Sequence, residues 1–183
     1  MKKAAVFFAD GFEEIEAFTQ VDLLKRAGIQ TDMITINKEK KAVGAHNIKT
    51  ECDMTIDEME KDGYDALILP GGMPGTKYLG QCKELTDLLL KYNSEGKIVA
   101  AICAAPSVLG ALGILKGKKA CCYPGFETML TGAEVVFKEC VREKNVITSR
   151  GAGTAIEFAY VIIEALMGKE KAKEIKEEII YGH

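Results

Sequence analysis

The chain has 183 residues, a formal net charge of −3 and 48% hydrophobic residues, which is typical of one globular domain with a sizeable core. The small negative charge favours neither nucleic acid nor an anionic membrane surface as a partner. No apolar run approaches the roughly 18 residues that cross a bilayer, and the apolar run 4–9 is shorter than the core of a signal peptide. We therefore predict a cytoplasmic protein with a single domain over residues 1–183.

Short apolar runs alternate with amphipathic stretches along most of the chain. After the first run, Ile15, Phe18 and Val21 follow helical spacing, and Gly28 is placed to end that helix. The polar stretch 37–60 is expected to hold a small hairpin and a short helix. In chain order, the predicted strands are 4–9, 29–36, 47–51 (in the hairpin), 64–70, 97–103, 119–123 and the turn-containing segment 140–149, and the predicted helices are 12–28, 55–63, 82–96, 105–115, 153–168 and 169–180.

The buried strands predict a parallel sheet. Strands that are apolar throughout and alternate with helices are typical of an α/β fold with helices on both faces of the sheet. In such folds, binding sites lie beyond the carboxyl ends of the strands. Three segments follow predicted strands and are therefore expected to converge, namely 9–16, 69–75 and 102–106.

The six cysteines show no metal-binding or redox spacing. None forms C-x-x-C, and no cysteine–histidine cluster has zinc-finger spacing, so we predict reduced thiols and no metal site. Two adjacent cysteines on one strand would point to opposite faces. The cysteines are Cys52, Cys82, Cys103, Cys121, Cys122 and Cys140.

Cys103 lies where a buried strand gives way to a helix. A cysteine with apolar neighbours is ordinarily a buried structural thiol. Here the helix is predicted to follow directly, with Pro106 in its first turn, and amides at a helix N-terminus lower the pKa of a thiol. Ala104 and Ala105 leave space for a substrate beside the sulfur. We therefore interpret Cys103 as a candidate nucleophile and leave the other five cysteines as structural.

A Gly-Gly pair ends the strand 64–70. Glycines can present bare backbone N–H groups to an oxyanion. Gly72, together with the amide of Ala104, could form an oxyanion hole for a substrate on Cys103. A plain tight turn is the alternative interpretation of the pair.

Three glutamates open the first predicted helix. Acidic residues in a first turn stabilise the helix dipole, which explains Glu13 and Glu14. Glu16 follows Ile15 and precedes Phe18 by two residues, so it could turn partly toward the sheet edge. Poor solvation there would raise its pKa and let it exchange protons with a nearby thiolate and its substrate.

The sequence offers few other catalytic groups. Its two histidines are His46, expected in an exposed loop, and His183, expected at a frayed terminus. There is no G-x-x-x-x-G-K-[ST] loop for phosphoryl transfer and no hydroxyl-rich loop for a flavin phosphate. A site without cofactor or metal, in which a thiol pairs with a carboxyl group, is the simplest prediction.

Four segments together resemble the ThiJ/PfpI superfamily, in the branch of the Parkinsonism-associated protein deglycase and bacterial YajL-like proteins. These segments are 9–29, 65–75, 98–119 and 147–172. The resemblance implies a flavodoxin-like three-layer α/β sandwich of the class I glutamine amidotransferase type, with a mostly parallel sheet, and a homodimer. It also implies that Cys103 is the nucleophile at a strand-to-helix elbow, Glu16 its protonated partner, and Gly72 and Ala104 the amides around the sulfur.

The same resemblance implies a function. It suggests a cofactor-free enzyme for small α-oxoaldehydes, either a glutathione-independent glyoxalase that converts methylglyoxal to lactate or a deglycase of early glycation adducts. The alternative is an oxidative-stress sensor or redox chaperone in which Cys103 is oxidised to sulfinate with little turnover. A third interpretation is a flavodoxin-like binding module with an inert cysteine. Nothing in the sequence favours the peptidase or thiamine-biosynthesis roles of other relatives.

One position departs from the family pattern. Relatives often place a histidine near the cysteine, where this chain has Tyr123 before Pro124. A phenol, with its pKa of about 10, cannot act as a base near neutral pH. It can still orient a substrate by hydrogen bonding, so Tyr123 is a candidate substrate contact.

Overall fold

The computed structural model describes residues 1–182, and the expectation for His183 lies outside them. The strands are β1 (Lys3–Phe8), β2 (Gln30–Thr35), β3 (Lys41–Val43), β4 (Lys49–Glu51), β5 (Met54–Thr55), β6 (Ala66–Leu69), β7 (Ile98–Ile102), β8 (Lys119–Ala120), β9 (Glu134–Val135), β10 (Cys140–Glu143) and β11 (Val146–Ser149). The helices are α1 (Glu14–Arg26), α2 (Gly75–Gln81), α3 (Lys83–Ser94), α4 (Pro106–Ala111), α5 (Ala155–Met167) and α6 (Lys169–Glu178).

A seven-stranded sheet organises the fold, in the order β10-β11-β7-β6-β1-β2-β5. Its neighbouring strands are parallel except for β10, which pairs antiparallel with β11 at one edge. The predicted hairpin forms as the antiparallel pair β3–β4. The flavodoxin-like α/β fold with a mostly parallel sheet is therefore confirmed.

Both faces of the sheet are covered by helices. In β1, Ala4, Val6 and Phe8 join the core under α1, α5 and α6, whereas Ala5 and Phe7 join the core under α2, α3 and α4. Successive side chains of a strand alternate between faces, so burial on both sides explains why the strand is apolar throughout. Within residues 1–182, no helix combines the length and the apolar character needed to cross a membrane.

Two helix predictions need correction. The helix α2 has no counterpart among the predicted helices, because its seven residues include Gly75 and Gly80 and carry little helical propensity; the buried Leu79 ties it to the core. The helix predicted at 55–63 is absent, and turns take its place. There the Glu58 carboxylate accepts a hydrogen bond from the Thr55 amide at 2.9 Å and closes a local turn.

The region after Cys103 also differs from expectation. The helix predicted at 105–115 ends at Ala111, before Gly113 with its φ of +71°. The strand predicted at 119–123 is only β8, which pairs with β9 outside the main sheet. Cys121 and Cys122 lie beyond β8, and both are buried. All six cysteines are free thiols.

Candidate active site

Three loops meet at the carboxyl ends of β1, β6 and β7. The three strands are neighbours in the sheet, and hydrogen bonds join the segments that follow them. The Glu13 amide donates to the Gly71 carbonyl at 3.0 Å, and the Gly71 amide donates to Oε2 of Glu16 at 2.8 Å. A Cβ atom added to Gly71 would lie 2.6 Å from Cβ of Cys103. The predicted convergence therefore brings Glu16, the Gly-Gly turn and Cys103 together.

Cys103 occupies a strained backbone position. Its φ of +65° lies in the left-handed region, which costs energy for any residue with a Cβ atom and is held only when the surroundings fix it. Two hydrogen bonds do so: its amide donates to the Ser149 carbonyl at 3.0 Å, and its carbonyl accepts from the Tyr123 amide at 2.8 Å. A strained turn between strand and helix points the side chain away from the sheet, as in other nucleophile elbows.

Glu16 is a buried carboxyl group. Its exposed fraction is 0%, and burial raises its pKa to about 7, while contacts with Cys103 and the Gly71 amide act in the opposite direction. Oε1 of Glu16 is enclosed and has no well-aligned hydrogen-bond partner among residues 1–182. The carboxyl group can therefore hold a proton near neutral pH, and it is in contact with the thiol of Cys103.

The Cys103 thiol does not have the lowered pKa expected from a following helix. Burial, followed by the charge of Glu16, raises its pKa to about 12, whereas the amides of Ala104 and Gly72 favour the thiolate. The helix contributes little because α4 begins only at Pro106 and spans six residues. Because Glu16 and Cys103 interact, their ionisations are coupled: a charge on one of the two groups disfavours a charge on the other.

Tyr123 lies beside this pair. Its side chain is 50% exposed, and its ring Cδ2 lies 3.2 Å from where a Cβ atom of Gly151 would be. The same point is 4.0 Å from Oε1 of Glu16. Glycine at position 151 thus leaves space for the phenol ring near the carboxyl group.

A pair that the sequence interpretation missed joins α1 to the β3–β4 hairpin. Glu14 is 6% exposed and binds His46 twice: Oε1 accepts from the His46 amide at 2.7 Å, and Oε2 lies 2.8 Å from Nδ1. The imidazole is exposed, as expected for a loop, but it is not free. No local pattern reveals the pair, because its members are 32 residues apart.

The same group is the arrangement closest to a metal site in the described residues. Ligand atoms of Glu13, Glu14 and His46 lie within 4.8 Å of one another. However, His46 already occupies both carboxylate oxygens of Glu14. The group is accounted for as an ion pair.

The close approach at Gly71 gives a first prediction. In Gly71→Ala, the new methyl group would lie 2.6 Å from Cys103 Cβ, 2.7 Å from Glu16 Oε2 and 3.0 Å from the Ile102 carbonyl. We expect the free energy of unfolding to fall by about 1–3 kcal/mol, as for other overpacked sites, and the alkylation rate of Cys103 to change at least tenfold. Urea unfolding and iodoacetamide labelling measure the two effects.

Gly153→Ala is the matched control, since no atom lies within 4 Å of the added methyl group and φ there is ordinary. Equal behaviour of the two variants would show that Gly71 is not required for the packing of the site.

Residues 2–165 match the DJ-1/PfpI family. The chain belongs to this family. Protein dj-1beta of Drosophila melanogaster is 36% identical over 184 residues, covering 100% of this chain and 98% of that protein. The glutathione-independent glyoxalase DJR-1.2 of Caenorhabditis elegans is 36% identical over 166 residues, covering 89% and 87%.

Solved DJ-1 structures share the fold of this DJ-1/PfpI chain. The structure described as Toxoplasma gondii DJ-1, oxidized, is 34% identical, covers 100% of both chains and superposes with a TM-score of 0.96. Some relatives are longer: the chain spans 41% of the DJ-1 homolog B of Arabidopsis thaliana, to which it is 35% identical over 181 residues. The family predicted from the four sequence segments is therefore confirmed.

Proposed function

We propose that this DJ-1/PfpI protein is a cofactor-free enzyme that converts small α-oxoaldehydes such as methylglyoxal to hydroxy acids, with Cys103 as nucleophile and Glu16 as proton carrier. The observation that carries the proposal is a strained thiol facing a fully buried carboxyl group whose pKa is raised to about 7. The relative named a glutathione-independent glyoxalase supports the reaction class.

The charge of the pair determines its reactivity. Between its two ionisations the pair holds one proton and one negative charge. Glu16 is fully enclosed, whereas Cys103 is partly exposed and faces two backbone amides. Glu16 receives one amide, that of Gly71, whereas two amides and solvent reach the sulfur. A charge costs less where solvent and N–H donors reach it, so we assign the charge to sulfur and the proton to Glu16.

The reaction then balances without a cofactor. The thiolate adds to the aldehyde carbon, and the oxygen takes the Glu16 proton to give a hemithioacetal. The carboxylate removes the proton from that carbon to give an enediolate, and the hydroxyl proton of the first carbon passes to the neighbouring oxygen. Glu16 then returns its proton to the neighbouring carbon, which leaves a thioester on Cys103. Water adds to the thioester carbon and the thiolate leaves; one proton of the water returns to Glu16, and the other is released to solvent with lactate. The amides of Gly72 and Ala104 would stabilise the negative oxygen at the addition and hydrolysis steps.

The test is lactate formation from methylglyoxal by the purified protein in buffer without glutathione or other free thiols. Saturable, protein-dependent lactate production is expected, and its absence would overturn the proposed reaction. Deglycase activity requires a further comparison with preformed adducts. If adducts never disappear faster than they dissociate spontaneously, the protein only scavenges free aldehyde.

An oxidation-sensing role is the second candidate. A relative of the same fold is described as oxidized, and the two amides at the Cys103 sulfur would also stabilise a sulfinate. Peroxide would supply the oxygen atoms, two equivalents per sulfinate, with water as the other product. We expect mild peroxide to oxidise Cys103 before the other five cysteines. Mass spectrometry of proteolytic peptides, each assigned to its cysteine, measures the order of oxidation. Uniform or slower oxidation of Cys103 would exclude this role.

Tyr123 is proposed as a substrate contact. Its exposed phenol lies near Glu16 across Gly151, where a hydroxyl group could bind the second oxygen of an α-oxoaldehyde. In Tyr123→Phe we expect a several-fold higher KM for methylglyoxal with little change in kcat. An unchanged KM would exclude the contact.

A homodimer and a cytoplasmic location complete the proposal. The family resemblance implies the homodimer, and Ile15 of α1 and Ile48 of the hairpin, which are 57% and 51% exposed, are proposed as residues of its interface. A monomer in sedimentation equilibrium would exclude the dimer. The six free thiols suit a reducing compartment such as the cytoplasm. Detection of the protein in separated cell fractions tests that location.

A further inference from the structure

The turn of the β3–β4 hairpin is fixed over the start of α1. The Gly11 amide donates to the Val43 carbonyl at 2.7 Å, and the Ala45 amide donates to the Phe12 carbonyl at 2.8 Å. His46, in the same turn, binds both oxygens of Glu14. The hairpin is therefore attached to the segment that contains Glu16.

A continuous set of contacts leads from His46 to the site. Nδ1 of His46 lies 3.7 Å from Oε2 of Glu13. The Glu13 amide binds the Gly71 carbonyl, and the Gly71 amide binds Glu16. The Glu13 charge also disfavours ionisation of Glu16. A cation that offsets the Glu13 charge therefore acts on the pair formed by Glu16 and Cys103.

Several charged side chains lie on the elements around the turn, but one cationic group among residues 1–182 contacts both Glu13 and Glu14. The charged side chains around the turn are Glu13 and Glu14 at the start of α1, Asp10 in the loop after β1, and Lys41 and Lys49 on the hairpin. Asp10 accepts hydrogen bonds from the Val43 amide and Asn37, and Lys41 lies 3.8 Å from Glu39. Among these, the imidazole of His46 is the cationic group in contact with both glutamates.

We propose that His46 is a positioning residue for the Cys103 site, whose positive charge compensates Glu13 and Glu14 and thereby favours the ionised state of the Cys103–Glu16 pair. The proposal rests on the function proposed above, but it concerns the charge of the pair rather than turnover. Contact with Glu14 raises the pKa of the imidazole above its ordinary value of 6.5, which favours the protonated, positively charged form of His46.

A charge-compensation series tests the inference. His46→Gln removes the charge while keeping an amide donor for Glu14 and the backbone bond. We expect the midpoint of Cys103 alkylation with iodoacetamide to move up by about half a pH unit, as for the loss of one partly screened charge, with about threefold slower labelling below the midpoint. Glu14→Gln alone should move it down, and the double variant should return close to the wild-type midpoint.

If His46 had only a structural role, the alkylation midpoints of the three variants would rank differently. If His46 only fastens the hairpin, the double variant loses the same fastening and is no better than either single variant. Lys49→Gln is the matched control, because it removes one positive charge from an exposed position on the same hairpin, and it should shift the midpoint by less than a third as much.

Three results would overturn the inference. The alkylation midpoint of His46→Gln could equal that of the wild type, its shift could equal that of Lys49→Gln, or the midpoint of the double variant could lie above that of His46→Gln. The shift is read from labelling of Cys103 wherever the wild-type midpoint lies. Its outcome is therefore independent of lactate formation, which tests the proposed reaction.

Discussion

Cys103→Ser abolishes lactate formation from methylglyoxal, with kcat/KM falling by about 10³-fold or more. The thiolate is the atom that forms the bond to the aldehyde, and a serine hydroxyl does not ionise in this pH range. Loss of a covalent nucleophile usually removes most of the rate enhancement that an enzyme provides. Serine is close to cysteine in size, so the strained turn should still form. The measurement is steady-state lactate production in buffer without thiols.

Cys82→Ser is the control for this prediction. Cys82 is also a partly buried free thiol, but it lies at the junction of α2 and α3. We expect the Cys82 variant to keep its activity within about twofold, as for a substitution near the surface. Activity in Cys103→Ser above about a tenth of the wild-type value would mean that another group forms the bond to substrate.

Glu16→Gln separates proton transfer from nucleophilicity, with kcat for methylglyoxal falling by about 10²–10⁴-fold, the usual contribution of a positioned acid–base group. The carboxamide oxygen introduced by this substitution can still accept the hydrogen bond from the Gly71 amide, so the loop geometry should be retained. The charge of Glu16 opposes ionisation of the Cys103 thiol. Removing that charge should therefore lower the pKa of the thiol from about 12. Alkylation of Cys103 should therefore persist at neutral pH while turnover fails.

The two readouts are made on the same preparation, with Glu13→Gln as a control that removes a neighbouring carboxylate outside the pair. The Glu13 variant should retain turnover and slightly ease ionisation of the site, because the Glu13 charge disfavours it. Turnover of Glu16→Gln within about threefold of wild type would show that another group moves the proton.

Apolar patterning is sufficient to predict the parallel sheet and the location of the candidate site. The continuous runs of β1, β6 and β7 reflect burial on both faces, and their order along the chain brings three loops to one edge. Glu16 and Cys103 are recognisable because each lies in a segment that follows such a strand. Helix α2 is not recognisable, because its stability comes from Leu79 in the core rather than from local propensity.

Electrostatics cannot be obtained from local sequence. The sequence indicates a helix N-terminus that would lower the pKa of Cys103, but burial and the nearby carboxyl group dominate in the folded protein. The pairing of Glu14 with His46 depends on a hairpin that docks from 32 residues away. Such interactions follow from tertiary distances, so a residue that the sequence places in an exposed loop can be paired in the structure.

The pH dependence of Cys103 alkylation decides whether the buried pair holds its single negative charge on sulfur, on which the proposed chemistry depends. Labelling by iodoacetamide follows the thiolate. We expect labelling to rise through neutral pH, and Glu16→Gln to keep this labelling, because its neutral carboxamide replaces a carboxyl group that is already protonated. Labelling that stays low through this range and rises only toward 12 would place the charge on Glu16 and contradict the assignment of the thiolate.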